Sequence, residues 1–171
     1  KDGVDLMTGR TKTPEDLRRE LRAWVRKRPR RELILVEEFL RTPEGETRFP
    51  VEYKFYVFGD AIGLISAVSR DSERRDWACF REDWSRFDQP MFKSKESVDS
   101  FGRPDSLENL CEAARKLGRS FGSFVRVDLY ETNRGVVFGE FGATPGEGRG
   151  FSAHGDRYLG ELWHEHWQGT I

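Results

Sequence analysis

Several features are scarce in this sequence. Among 171 residues only Cys79 and Cys111 are cysteine, and two thiols make neither a disulfide framework nor a four-ligand zinc site. They are typical of reduced thiols, so we expect a cytoplasmic protein. The longest apolar stretches have the length of a strand and fall short of the ~20 residues that a membrane span needs. We therefore expect no membrane span.

An excess of either charge is also missing. Lys and Arg together number 29 and Asp and Glu number 30, which gives a formal net charge of −1. A balanced chain has no overall field that attracts nucleic acid or an anionic membrane. The short basic run at 26–31 is typical of a solvated helix end. We therefore expect no nucleic-acid partner.

The sequence does contain a regular succession of helix and strand patterns. Thr13 is a candidate helix cap, Pro14 suits the first helical position, and Pro29 ends that helix. The order of elements predicts an α+β lobe with a mostly antiparallel sheet and flanking helices. The predicted elements are a loop at 1–12, a buried strand at 32–40, a hairpin of 51–58 with 61–69, an irregular segment at 71–104 with one or two short strands, a helix from Asp105 to residue 118, a hairpin of 124–130 with 136–141, a Gly-rich loop at 142–150 and a helix from Asp156.

The second hairpin carries residue types that suggest chemistry. Side chains alternate between the two faces of a strand, so Arg126, Asp128 and Tyr130 share one face. If residues 133–135 form a three-residue loop, the following strand brings Glu140 opposite Asp128. In that register Thr132 pairs with Val136.

Two opposed carboxylates repel each other unless a cation lies between them. Oxygen ligands without nearby His or Cys favour a hard ion, Mg²⁺ above all, which also binds phosphate oxygens. Arg126 on the same face is a candidate ligand for a phosphate or for charge that develops during transfer. The alternative is a hairpin with a solvated polar face and no site.

The motifs together resemble the ATP-grasp enzymes, of which the D-alanine–D-alanine ligases are the best known. The resemblance includes Arg126-x-Asp128, Glu140 twelve residues later and the Pro145-Gly146 that follows. It also includes the sequence at 35–40, which is similar to the family's hinge strand beside adenine. The chain is most similar to the TupA-like ATP-grasp subfamily, which is associated with teichuronopeptide and polysaccharide biosynthesis. The resemblance covers about residues 32–165.

The resemblance implies a set of site residues. It makes Asp128 and Glu140 the Mg²⁺ ligands and Arg126 the residue that stabilises the transferring phosphoryl group. It makes Lys54 a catalytic phosphate or substrate contact. The implied nucleotide contacts are Glu37, Glu38, Phe39 and Leu40 for adenine, Glu52 for ribose, and Arg70 as a further contact.

The resemblance also implies an activity. We expect an ATP- and Mg²⁺-dependent ligase that forms an amide through an acyl-phosphate, acting on a small-molecule, peptide or saccharide substrate of the cell envelope. The alternatives are a phosphotransferase acting on a hydroxyl and a non-catalytic nucleotide-binding module. Residues 1–31 are then the end of the small ATP-grasp subdomain, and residues 32–171 are the catalytic lobe.

The sequence departs from the family in two respects. Gly142 stands where many members have an asparagine as a further metal ligand, which leaves water or Thr144 for that position. The upstream Gly-rich loop and lysine that cover the phosphates, and an N-terminal substrate domain, are not in this sequence. We therefore expect a fragment of a larger ATP-grasp protein.

Overall fold

The computed structural model describes residues 2–27, 36–70, 76–97 and 101–166. Those residues contain three α-helices and a five-stranded sheet in which every neighbouring pair is antiparallel. This confirms the predicted fold class.

The chain divides into two compact units, Lys1–Phe39 and Leu40–Ile171. The proposed division at residue 31 concerns the family's subdomains and stays a prediction. The elements are β1 (Gly3–Asp5), β2 (Arg10–Lys12), α1 (Pro14–Arg26), β3 (Glu52–Phe58), β4 (Ala61–Ser69), β5 (Asp76–Phe80), α2 (Leu107–Gly118), β6 (Phe124–Thr132), β7 (Gly135–Gly142) and α3 (Ala153–His166).

The first unit begins with a small hairpin and not with the predicted loop. Strands β1 and β2 pair antiparallel, and the Lys12 ammonium lies 2.8 Å from a carboxylate oxygen of Asp5. Three-residue strands without an alternating apolar pattern leave little signal in a sequence. Helix α1 starts as predicted: the Thr13 hydroxyl accepts from the Asp16 N–H, and the Asp16 carboxylate accepts from the Thr13 N–H. Such a reciprocal cap satisfies two backbone donors at the helix start.

The buried strand predicted at 32–40 is wrong over the part that the structure describes. Residues 28–35 lie outside the described residues, and residues 36–40 have no regular secondary structure. Val36 is 85% exposed. A strand forms only where a neighbour takes its backbone hydrogen bonds, and residues 36–40 pair with no strand among the described ranges.

The second unit is built on the sheet β5-β4-β3-β6-β7. Strand β3 lies in the middle, and its side chains on both faces are largely buried. On one face Phe55 and Val127 pack with Leu110 of α2, and on the other Tyr56 and Leu159 of α3 belong to a second apolar cluster. Both hairpins and the short strand β5 occur where they were predicted.

The starts of α2 and α3 differ from the predictions. Helix α2 begins at Leu107, and the Ser106 N–H before it donates to the Glu131 carboxylate, so Asp105 is not the cap. Helix α3 begins at Ala153. There the Ser152 hydroxyl accepts from the Gly155 N–H at 2.9 Å. At the start of each helix a backbone N–H therefore donates to an oxygen that does not belong to the predicted aspartate.

The β6–β7 hairpin closes more tightly than predicted. Thr132 pairs with Gly135 and not with Val136, so the loop has two residues. The Thr132 hydroxyl accepts from the Arg134 N–H at 3.1 Å and donates to the Gly135 carbonyl at 2.8 Å. Gly135 has φ of +89°, which favours glycine at the end of a tight turn.

A β-bulge then restores the predicted pairing. Gly139 is one extra residue in β7, and beyond it Asp128 lies opposite Glu140, as the sequence indicated. A Cβ at residue 139 would lie 2.8 Å from the Tyr130 ring and 3.1 Å from the Asp128 carbonyl oxygen. The bulge therefore requires glycine.

Candidate functional site

Five charged side chains meet on the face of the sheet that also carries Tyr56. We call Glu52, Lys54, Arg126, Asp128 and Glu140 the charged cluster. Lys54 is the register partner of Asp128, and Asp128 is the register partner of Glu140, so these three form one row across β3, β6 and β7. Neighbouring side chains in such a row lie close enough to interact directly.

Asp128 is the centre of the cluster and is fully buried. Arg126 donates two parallel hydrogen bonds to it, from Nε to Oδ1 at 2.6 Å and from Nη2 to Oδ2 at 2.7 Å. Lys54 donates from Nζ to the same Oδ2 at 2.5 Å. A buried carboxylate is stable only with such partners, and a two-pronged guanidinium fixes its orientation.

Arg126 also connects the two carboxylates that the sequence placed opposite each other. Its Nη2 donates to Glu140 Oε1 at 2.7 Å, while the Glu140 side chain is 65% exposed. The cation between the two acids in this structure is therefore a guanidinium. Burial alone would lower the pKa of Arg126, but the hydrogen bonds and charge of Asp128 raise it above the ordinary value.

Glu52 forms the second acidic centre of the cluster. Lys54 Nζ lies 2.7 Å from Glu52 Oε1, and an Arg70 nitrogen lies 3.3 Å from Glu52 Oε2. Burial alone would raise the pKa of Glu52, but Lys54 and Arg70 together hold it below the ordinary value. The predicted residues Glu52, Lys54 and Arg70 thus come together, although 18 residues separate Glu52 from Arg70.

Tyr130 is a contact to which sequence reasoning gave no role. Its hydroxyl donates to Glu52 Oε1 at 3.3 Å. Burial, with the Glu52 charge beside it, raises the pKa of Tyr130 to about 12. The alternation Arg126-x-Asp128-x-Tyr130 placed the ring on the correct face. No local pattern showed that β3 would bring Glu52 to it.

The donor set of the cluster suits Mg²⁺ in composition. Asp128 and Glu140 offer oxygen ligands from neighbouring strands, and Mg²⁺ is commonly held by one or two carboxylates plus phosphate oxygens and waters. Within the described ranges no group of three or more His, Cys, Asp and Glu side chains is arranged to hold a metal. The pair therefore fits an ion that arrives with phosphate, and Arg126 would have to move from between the two acids.

The predicted adenine contacts lie outside this cluster. Glu37, Glu38 and Phe39 belong to the first unit, whereas Leu40 begins the second. Both glutamates are exposed, and Leu40 is half-buried. Their assignment to adenine stays a prediction.

The Gly-rich loop at 142–150 follows strand β7, which carries Glu140. Residues Pro145–Gly148 form a short 3₁₀ turn, and Gly146, Gly148 and Gly150 all have positive φ. Arg149 in this loop is exposed and lies 3.7 Å from Glu147.

A helix-flanked antiparallel sheet with this cluster on one face is consistent with the catalytic lobe of an ATP-grasp enzyme. The family model described as TupA-like ATPgrasp matches residues 11–164. The chain therefore belongs to the TupA-like ATP-grasp family and is an ATP-grasp enzyme in the general sense, from a group that typically uses ATP and Mg²⁺. No curated protein and no solved structure gives a significant match.

Over the parts of the chain that the structure describes, no helix combines the length and the apolar character needed to cross a bilayer.

Proposed function

We propose that the chain carries the phosphate and metal site of an ATP- and Mg²⁺-dependent ligase, which joins a carboxylate to an amine through an acyl-phosphate. The observation that supports this most is the meeting of Lys54, Arg126, Asp128 and Glu140 in one cluster. A solvated polar face, the alternative from sequence, does not require a carboxylate that is fully buried among two cations.

The two cations of the cluster would bind the phosphates of ATP. Arg126 and Lys54 now neutralise Asp128, so phosphate oxygens compete with that carboxylate for the same donors. A guanidinium that already bridges two acids has donors in several directions and suits the equatorial oxygens of a transferring phosphoryl group. Arg126 thereby becomes the residue that faces the developing charge.

Asp128 and Glu140 would hold Mg²⁺ once Arg126 turns toward phosphate. Bound there, the ion neutralises charge on the phosphate oxygens. Asp128 is buried and Glu140 is largely exposed, so we assign the two carboxylates different roles in holding the ion. Asp128 is a fixed anchor whose position depends on the sheet, whereas Glu140 is free to reorient as ligands enter.

The proposed reaction has two steps. A carboxylate oxygen of the substrate attacks the γ-phosphorus, the bond to the β-phosphate oxygen breaks, and ADP leaves. The amine nitrogen then forms a bond to the acyl carbon, and inorganic phosphate leaves. Arg126 stays beside the oxygen that carries the negative charge in both steps, where a fixed donor lowers the barrier.

The remaining assignments extend this proposal to the nucleotide and the substrate. Residues 37–40 would contact adenine, Glu52 the ribose hydroxyls, and Arg70 a further part of the nucleotide. We further propose a substrate among cell-envelope saccharide or peptide precursors and a reaction in the cytoplasm, where ATP is supplied. The two cysteines are free and buried, in keeping with a reducing compartment.

The proposal is tested by following oxygen in the full-length protein. Candidate carboxylates labelled with ¹⁸O are incubated with ATP, Mg²⁺ and hydroxylamine as the amine. The expected result is inorganic phosphate that carries one ¹⁸O atom, together with a hydroxamate. Asp128→Asn should remove this transfer, whereas Asp88→Asn, which changes an exposed carboxylate, should leave it intact.

Two results would contradict the ligase. A phosphorylated hydroxyl without release of inorganic phosphate would identify a phosphotransferase. Nucleotide binding without any ATP consumption would identify a binding module. Near-normal transfer in Asp128→Asn would remove the role assigned to that residue.

A further inference from the structure

A cavity of about 430 Å³ lies on the same face of the sheet as the charged cluster. Aromatic rings from three parts of the second unit dominate its wall: Tyr56, Phe58, Phe124, Phe151 and Trp163. The residues that follow Glu140, from Ala143 to Pro145, form another side. The function proposed above gives this cavity no role.

The cavity adjoins the charged cluster along two strands of the sheet. Tyr56 is the register partner of Arg126, and Phe124 precedes Arg126 by two residues on the same strand and face. The cavity wall formed by Tyr56 and Phe124 is therefore next in the sheet to Arg126, which we assign to the reacting phosphate. Trp163 on α3 also lines the cavity.

The charged residues of the cavity wall are all of one sign. Glu147 and Asp156, which are also exposed to solvent, contribute carboxylates, and no Lys or Arg of the described chain lines the cavity. The Asp156 carboxylate has no ion-pair or hydrogen-bond partner among the described residues, while Glu147 has only the distant Arg149 at 3.7 Å. An unneutralised acid in a cavity wall attracts a cation.

The aromatic rings favour the same kind of ligand. Phe124 and Trp163 have ring centroids 5.9 Å apart, and Tyr56 and Phe151 have centroids 6.0 Å apart. The faces of such rings attract an ammonium group and also pack against a ring or an aliphatic chain. Carboxylates together with aromatic faces thus select an organic cation over an anion.

We propose that this cavity is the acceptor subsite and that it takes a primary amine attached to a ring or an aliphatic chain. This inference rests on the proposed ligase function. The amine enters as an ammonium ion held by Asp156, Glu147 and the rings, and it loses one proton to solvent. Its nitrogen forms the C–N bond with the acyl-phosphate, the C–O bond to phosphate breaks, and the departing phosphate takes the electron pair and the second proton.

Gly160 allows the cavity to be filled without disturbing the fold. It lines the cavity in the middle of α3, its φ is in the ordinary range, and a Cβ there would meet no atom within 4 Å. Gly160→Leu therefore places a side chain in open space, and leucine is a better helix former than glycine. Gly160→Ala is the matched control, because it makes the same backbone change with only one methyl group.

The experiment measures binding by calorimetry to the full-length protein, using phenethylamine and its neutral counterpart phenethyl alcohol as probes. We expect the amine to bind at least about tenfold more tightly than the alcohol. Asp156→Asn should remove most of that preference. Gly160→Leu should weaken amine binding by about tenfold or more, and Gly160→Ala by less than about threefold. Thermal unfolding verifies that each variant is folded.

The outcomes separate this inference from the proposed function. Equal binding of amine and alcohol, or unchanged amine binding in Gly160→Leu, overturns the acceptor subsite even if labelled phosphate shows that the acyl-phosphate forms. The expected binding pattern in a protein that forms no acyl-phosphate would support the amine site and overturn the ligase function.

Discussion

The guanidinium of Arg126 lies directly over Gly142, its register partner on β7. A Cβ at residue 142 would be 3.0 Å from Cζ of Arg126, closer than almost all such contacts in proteins. Many ATP-grasp enzymes have an asparagine at this position. In this chain Gly142 has no side chain, and the space this leaves lets Arg126 reach both Asp128 and Glu140.

Gly142→Ala is therefore expected to shift Arg126 away from the two acids. We predict a loss of about 1–2 kcal/mol in the free energy of unfolding and slower ATP turnover in the full-length protein. Chemical denaturation and ADP release measure the two effects. Gly102→Ala is the control, since a Cβ there meets no atom within 4 Å. Equal behaviour of the two variants would show that the close approach to Arg126 has no consequence.

Lys54 connects two buried carboxylates, so its removal should be costly. Lys54→Met leaves Asp128 with Arg126 and leaves Glu52 with the longer contacts to Arg70 and Tyr130. Breaking one partner from a buried ion pair commonly costs ~3–5 kcal/mol, and we expect about 3 kcal/mol because Arg126 remains.

The control for Lys54 is Arg70→Met. The Arg70 side chain is half-exposed, and its contact with Glu52 is 3.3 Å, so we expect a loss below about 1 kcal/mol. Urea denaturation compares the two variants. A loss in Lys54→Met no greater than that in Arg70→Met would mean that Lys54 does not hold the carboxylates in place.

Two glycines of α3 should respond to alanine in opposite directions. A Cβ at Gly155 would lie 2.1 Å from the Met91 carbonyl oxygen, whereas a Cβ at Gly160 would meet nothing within 4 Å. We expect Gly155→Ala to destabilise the protein by about 1–3 kcal/mol, because backbone has to move. Gly160→Ala should stabilise it by up to about 1 kcal/mol through helix propensity. Thermal unfolding of both variants decides this, and a stable Gly155→Ala would show that α3 is not seated on the segment around Met91.

The Cys111 thiol should make the fold sensitive to alkaline pH. Burial, with a smaller effect of the Glu82 carboxylate, raises the pKa of Cys111 from 9.0 to about 11. The native state thus holds this proton more tightly than the unfolded chain does. The contribution of the protonated thiol to the free energy of unfolding is complete below pH 9.0 and is lost as pH rises to about 11.

The measurement is the free energy of unfolding of wild-type protein and Cys111→Ala across that range. The stability of the wild type should fall more steeply with pH than that of the variant. Burial also raises the pKa of Cys79, so some slope will persist in Cys111→Ala. Parallel curves would contradict the assignment to Cys111.

The adenine residues show where sequence reasoning had least physical support. A run such as Leu35-Val36 is typical of a buried strand because it is apolar, yet Val36 is exposed and residues 36–40 are not part of a strand. Composition indicates that a segment is able to form a strand. Whether it does so depends on a neighbour elsewhere in the chain that completes its hydrogen bonds.

The features that could be predicted from the amino-acid sequence are those that depend on residues close together in the chain. These include the Thr13 cap, the two hairpins and the shared face of Arg126 and Asp128, because capping and strand alternation act over two to four residues. The tertiary structure alone decided that Lys54 meets Asp128, 74 residues away, and that a guanidinium fills the space between the acids. Alternation assigns a side chain to a face, but only the order and register of the strands select its neighbours on that face.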